Sequence, residues 1–153
     1  MAHSWMTPTN PVLFALAKNM PSVSPQSLSL EWLEPRFNMI RFPPETKLPS
    51  AILDRANVFV ARTDDEVSVL CETAVGIQGD AVHGPLCGFR VVGVLDFALV
   101  GIMATLTQIL ADAQVSVLAV STFNTDYVFV DTTSVDDATF ALEQAGFTFV
   151  EQD

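Results

Sequence analysis

The sequence predicts an α+β fold in which a largely antiparallel sheet carries its helices on one face. Three observations lead there. Half of the 153 residues are apolar. Strand-like and helix-like hydrophobic periods alternate from Arg36 onward. In the second half they follow the order β-α-β-β-α-β. A mass of 16.6 kDa suits one compact body or two very small units sharing a core. A mean hydropathy of +0.38 excludes wholesale disorder.

Residues 1–35 hold Pro8, Pro11, Pro21, Pro25 and Pro35 among many Ser, Thr and Asn, and read as a weakly ordered leader. Within it, Val12 to Asn19 can form a short helix capped by Asn10, with Pro11 at the first helical position. Arg36 to Phe42 reads as a strand that ends at Pro43-Pro44. A short helix around Pro49 follows, then a strand at Asn57 to Ala61, a turn at Thr63 to Glu66 and a strand at Val67 to Cys71. A loop through Gly76, Gly79, Gly84 and Pro85 closes this first half.

The second half opens on an apolar strand, Gly88 to Leu95. Leu99, Ile102, Met103, Leu106, Ile109, Leu110 and Ala113 then fall on one helical face. Strands at Val115 to Val120 and Asp126 to Asp131 flank the connection Ser121 to Thr125. Ser134 with Asp137 has the spacing of a capping box, and Val135, Ala138, Leu142 and Ala145 stripe a second helix that stops at Gly146. Phe147 to Val150 is the last strand. Two interlocked right-handed crossovers of this order make a ferredoxin-like sandwich with both helices on one face. The other face, rich in Val and Phe, needs a cover. The expected organisation is a leader (1–35), a degenerate first unit (36–86) and a complete second unit (87–153), packed together and homodimeric.

Seven Lys and Arg stand against 18 Asp and Glu, a formal charge of −11, and no basic residue follows Arg90. No basic stripe exists to displace counterions from a phosphate surface, so nucleic acid and anionic membranes are poor partners. The longest apolar run, Phe97 to Leu106, is too short to span a bilayer, and the N-terminus lacks the basic region of a signal peptide. A cytoplasmic location follows as an expectation. Two cysteines, Cys71 and Cys87, are too few for a disulfide scaffold and are expected reduced and buried. His83 and Cys87 with Asp80 fall short of a four-ligand zinc set, so neither metal nor other cofactor is expected.

The stretches Leu95-Asp96-Phe97-Ala98-Leu99-Val100-Gly101-Ile102 and Ser121-Thr122-Phe123-Asn124-Thr125-Asp126, with the helix and strands around them, resemble the ACT domain family. The likeness is closer to its paired-ACT subfamily, which includes the cytosolic arginine sensor CASTOR and bacterial proteins of unassigned role. It is strong over Gly88 to Val150, moderate over Arg36 to Ala74 and absent before Arg36. The resemblance implies tandem ferredoxin-like ACT units, a regulatory rather than catalytic role, and an amino acid bound where the loop and helix start after a unit's first strand meet a neighbouring unit. It marks Thr122, Phe123 and Asp126 as pocket residues. The proline of many ACT loops is missing here, and Leu99 or Val100 stands where the sensor offers an acidic group. A smaller or more apolar amino acid than arginine therefore fits at least as well.

The candidate ligand-binding residues are Asp96, Phe97, Leu99, Val100, Gly101, Ile102, Ser121, Thr122, Phe123 and Asp126. Gly101 inside a helix costs about 1 kcal/mol relative to Ala. Either its missing Cβ lets a ligand's carboxylate reach the helix start, where unpaired N–H groups and the dipole favour anions, or it allows close packing alone. Asp126 can accept from an ammonium or tighten the turn through its own backbone. Asp96 is expected to cap the helix that follows. Phe123 is a pocket wall or a core ring, and Ser121 and Thr122 are ligand partners or turn caps.

Enzyme motifs are missing from the sequence: there is no Gly-x-Ser-x-Gly, no phosphate-binding Gly-Lys loop and no His-Glu-x-x-His, and the two histidines, His3 and His83, lie apart. The expected function is non-catalytic binding of an amino acid at an interface between units. The alternatives are a ligand-free dimerisation module, or an accessory regulatory subunit of an amino-acid-metabolism enzyme.

Overall fold

The computed structural model describes residues 28–96 and 101–151, and the expected leader helix at Val12 to Asn19 lies outside them. The strands are β1 (Ser29–Phe42), β2 (Phe59–Arg62), β3 (Val67–Glu72), β4 (Ala81–Val91), β5 (Leu118–Ser121), β6 (Asp126–Asp131) and β7 (Thr148–Val150). The helices are α1 (Ser50–Leu53), α2 (Ile102–Asp112) and α3 (Val135–Gln144), with single 3-10 turns at Thr73–Val75 and Thr132–Ser134. All seven strands join one sheet in the order β2-β3-β1-β4-β6-β5, and β7 pairs with β1.

Four sequence expectations need correction. Gly84 and Pro85, expected in a loop, lie within β4, which runs Ala81–Val91 rather than Gly88 to Leu95. β1 begins at Ser29, well inside the supposed leader. Leu30 and Trp32 alternate with Glu31 and Leu33 as a strand should, and Pro35 falls in the register shift between Trp32 and Arg36, where its missing N–H breaks no ladder bond. The last strand does not pair with β4 to close a four-stranded unit. It runs parallel to β1, Thr148 to Val150 against Ser29 to Glu31. The capping box at Ser134 does not form either, because Ser134 already belongs to a 3-10 turn and makes no side-chain cap bond.

The two faces of the sheet are buried in different ways. On one face Leu30, Phe89, Val91, Val128 and Val130 pack under Ile102, Leu106 and Leu110 of α2 and Ala138 and Leu142 of α3. Trp32 stacks on Phe149 at 5.4 Å and meets Phe89 edge-on at 5.1 Å. On the other face lie Leu33, Phe37, Leu70, Leu86 and Phe129. No described helix covers them; the sheet curls over them instead. Phe59 on the edge strand β2 meets Tyr127 and Phe129 of β6, four places along the sheet, at centroid distances of 5.1 and 6.0 Å. A Cβ at Gly88 would collide with the Phe129 ring, which lies against its cross-strand partner's backbone.

The register reveals an internal repeat. Phe37 to Arg41 of β1 face Glu72 to Ser68 of β3, and Leu86 to Arg90 of β4 face Asp131 to Tyr127 of β6 in the same way. The β2–β3 hairpin, Phe59↔Leu70 to Arg62↔Val67, matches the β5–β6 hairpin, Leu118↔Phe129 to Ser121↔Asp126. Each turn is closed alike: Thr63 N donates to Glu66 O and Thr122 N to Thr125 O, both at 2.9 Å. β1 and β4 pair antiparallel between the halves, with Phe37 opposite its own counterpart Leu86. Two ion pairs follow the same exchange: Arg41 of β1 holds Asp80 just before β4 at 3.2 Å, and Arg90 of β4 holds the buried Glu31 of β1. The bond to Glu31 pushes the Arg90 guanidinium above its ordinary pKa, so it stays charged. The first half has no counterpart of α3 or β7 among the described residues.

Removing the ring that closes the curled face, Phe129→Ala, is expected to lower stability by about 3–5 kcal/mol in denaturant unfolding, whereas Phe140→Ala, on the exposed face of α3, changes it by less than about 0.5 kcal/mol. Cys71 is buried and Cys87 half-buried, and neither forms a disulfide. Burial, with help from Glu72, pushes the Cys71 thiol up. Its contribution to stability is whole below the unfolded thiol's pKa of about 8.5 and is lost as pH rises through the higher folded value. Unfolding midpoints measured across that range fall in the wild type, and fall less in Cys71→Ala.

Candidate ligand-binding cleft

The connection after β4, the start of α2 and the β5–β6 hairpin meet around a cleft of about 350 Å³. Its walls carry Leu95 and Asp96, then Gly101 to Ala104, and on the other side Ser121 to Asp126. Seven of the expected site residues therefore share one space: Asp96, Gly101, Ile102, Ser121, Thr122, Phe123 and Asp126. Phe97, Leu99 and Val100 lie outside the described residues.

Gly101 does not sit inside the helix. It precedes the helix as the N-cap, in the left-handed region at φ +85°, with no side-chain cap bond. Apart from its chain neighbours and the helix's own backbone, no described atom stands within 4 Å of where its Cβ would be. The left-handed backbone itself calls for glycine. Gly101, not Asp96, is the N-cap of α2, and the amides of Ala98 and Leu99 from which Asp96 was expected to accept lie outside the described residues. Thr105 N is the amide that returns to Gly101 O, at 2.9 Å. The amides of Ile102, Met103 and Ala104 come before it in the first turn and have no intrahelical acceptor. They carry the positive end of the helix dipole at the cleft.

The opposite wall is held by hydrogen bonds within the hairpin. Ser121 Oγ donates to Asp126 Oδ1 at 2.6 Å, orienting the carboxylate. Thr122 Oγ1 donates to Thr125 O at 2.9 Å. Thr125, 6% exposed, donates from Oγ1 to Val91 O at 2.7 Å and ties the turn to the end of β4. Leu95 N donates to Asn124 O at 2.8 Å, fastening the connection to the same turn. Phe123 is 80% exposed at the rim, so the core-ring reading of it fails. Leu95, Met103, Ala104, Asn124 and Thr125 also line the cleft, though none was among the individual binding residues expected from the sequence. Their one sequence signal is that they lie beside or between residues that were.

The walls thus combine the first-turn amides at a positive helix end with two carboxylates, Asp96 and Asp126, and no Lys or Arg among the described lining. This arrangement complements a molecule that carries a carboxylate and an ammonium. It offers no metal site: among the described residues no three of His, Cys, Asp and Glu gather. Asp80 is paired with Arg41, His83 lies 3.7 Å from Asp131, and Cys87 Sγ accepts from Arg36 at 3.5 Å.

Residues 86–144 match the model of the ACT domain family. The described lining of the cleft lies within the matched residues. No curated protein matches the sequence. Among solved structures, the fold is similar to a protein from Agrobacterium tumefaciens (TM-score 0.74, 24% identity, 82% of this chain and 94% of that one). It is also similar to a Vibrio cholerae protein described as of unknown function and a possible transport protein (TM-score 0.61, 18% identity, 80% and 92%). A third likeness is to the regulatory subunit of aspartate kinase from Thermus flavus (TM-score 0.55, 10% identity, 76% and 96%). At these identities the likeness is one of fold, the mixed α+β architecture with a curled, mostly antiparallel sheet.

Because Gly101 holds a left-handed backbone, Gly101→Ala is expected to destabilise by about 1–2 kcal/mol in urea titration. Gly101→Asn recovers part of that, since Asn tolerates the same region.

Proposed function

We propose that this protein is a non-catalytic regulatory protein that binds an amino acid in the cleft between the start of α2 and the β5–β6 hairpin. One observation carries the reading: the first turn of α2 and the Ser121-oriented carboxylate of Asp126 border the same 350 Å³ space. The ligand's carboxylate takes the amides of Ile102 to Ala104, and its ammonium takes Asp126. Leu95, Ile102 and Phe123 offer its side chain apolar surface, which favours a small or apolar amino acid. Phe97, Leu99 and Val100 belong to the same proposed site by their place in the chain. The volume lies at the small end of the roughly 300–1,000 Å³ range of ligand pockets.

The ACT match over residues 86–144 supports this role, since the family's units bind amino acids, and so does the fold shared with a regulatory subunit of aspartate kinase. We read the closer likeness as one to paired-ACT proteins, the chain holding a degenerate unit (36–86) before a complete one (87–153). The internal repeat in the strand register supports two related units, the first opening with β1 at Ser29 and the second with β4 at Ala81. A homodimer in the cytoplasm completes the proposal. No described helix is long and apolar enough to cross a membrane, and two unpaired thiols suit a reducing compartment. Binding would act by shifting the population of assembled states. The likeness to a regulatory subunit also favours a second reading, an accessory subunit that works on an enzyme carried by another chain. A pull-down returning such an enzyme would select it.

A thermal-shift panel of the twenty amino acids tests the main reading. A true ligand at 100 times its Kd adds about 2.7 kcal/mol of stability. Asp126→Ala removes that gain while its ligand-free unfolding remains cooperative. A panel flat for every amino acid would leave only a dimerisation module.

A further inference from the structure

The two repeats differ at the place where the second one opens its cleft. Arg62 pairs with Val67 at the end of the β2–β3 hairpin as Ser121 pairs with Asp126 at the end of β5–β6. The same threonine-closed turn follows in both: Glu66 N donates to Thr63 Oγ1 at 3.2 Å, and Thr125 N to Thr122 Oγ1 at 3.3 Å. Ser121 is short and leaves the space beside it open, but Arg62 reaches across. Its Nη1 donates to Pro44 O at 2.6 Å and its Nη2 to Thr46 O at 2.7 Å. Those carbonyls belong to the connection that leaves β1, the counterpart of the connection leaving β4 that brings Leu95 and Asp96 to the cleft. One side chain therefore bridges two elements whose counterparts in the second repeat, joined by the bond from Leu95 N to Asn124 O, still leave the cleft between Leu95 and Ser121.

The other parts of the cleft have no equivalent in the first repeat. Val67 occupies the position of Asp126, and α1 is four residues long, too short to present an aligned amide end. What the first repeat has instead is a planar guanidinium fork matched to two backbone carbonyls.

We propose that Arg62 is a tethered ligand. Its guanidinium occupies, within the chain, the place that the second repeat leaves for a free molecule, so each chain takes one ligand rather than two. The count of one rests on the function proposed above; the role of Arg62 does not.

The test is chemical rescue. Arg62→Ala is expected to unfold at a lower temperature than the wild type. Ethylguanidinium at millimolar concentration restores most of that loss, ethylammonium restores none because it lacks the fork, and the wild type responds to neither. Arg62→Lys, which keeps the charge without the fork, stays as unstable as the alanine variant. If ethylguanidinium leaves Arg62→Ala unchanged, or stabilises the wild type equally, the tethered-ligand role is wrong. Calorimetric titration of the wild type with the amino acid giving the largest thermal shift is expected to read one molecule per chain, and two per chain overturns the proposal. If no amino acid shifts the wild type, the proposed function falls, while the ethylguanidinium comparison still decides the role of Arg62.

Discussion

The antiparallel pairing of β1 with β4 is the constraint on which the molecule depends. Each is the first strand of its repeat, and each lies at the centre of the sheet with its own hairpin on the outer side. Their length lets them serve both halves. β1 gives its later residues to β3 and its first residues to β7, while β4 gives its later residues to β6. The exchanged ion pairs, Arg41 with Asp80 and Arg90 with Glu31, lie toward opposite ends of this ladder. A one-residue slip would part both pairs and turn Leu30 and Phe89 away from the helices.

Curling of the sheet follows from the same arrangement. The second half has two helices for one of its faces and nothing of its own for the other. The first half supplies that cover by continuing the sheet until β2 arrives opposite β6, where Phe59 lies against Tyr127 and Phe129. An apolar face of this kind, left flat, would be a site of association. Here most of it becomes core, with Phe37 and Phe129 fully buried.

The cleft is a consequence of where the repeats diverge. Both halves keep the hairpin and its threonine-closed turn. Among the described residues, only the second half has a helix long enough to present an aligned first turn, and only there does a short serine stand beside an aspartate at the hairpin's end. Sequence change at two equivalent positions, Arg62 against Ser121 and Val67 against Asp126, separates a repeat closed by its own side chain from one that stays open.

Local patterns were enough for much of this. The apolar run Tyr127 to Val130 between two aspartates marks β6, Asp126–Asp131, and the stripe of Ile102, Leu106 and Leu110 marks the buried face of α2. The turn between the two strands was legible from its polar residues, and Thr122, Phe123 and Asp126 were marked as pocket residues by the resemblance to the ACT family. The sequence also determined the acidic balance and the lack of any cation beyond Arg90, which leave the cleft to helix amides and carboxylates. Only the tertiary structure decided the rest. Which strand β7 joins, that Pro35 sits harmlessly in a bulge, and that Gly101 lies before the helix at positive φ rather than within it all depend on partners distant in sequence. Hydrophobic period reports which face of an element is buried, not which neighbour buries it. Pairing across the sheet is settled by the curl and by competition among strands, and no residue encodes that alone.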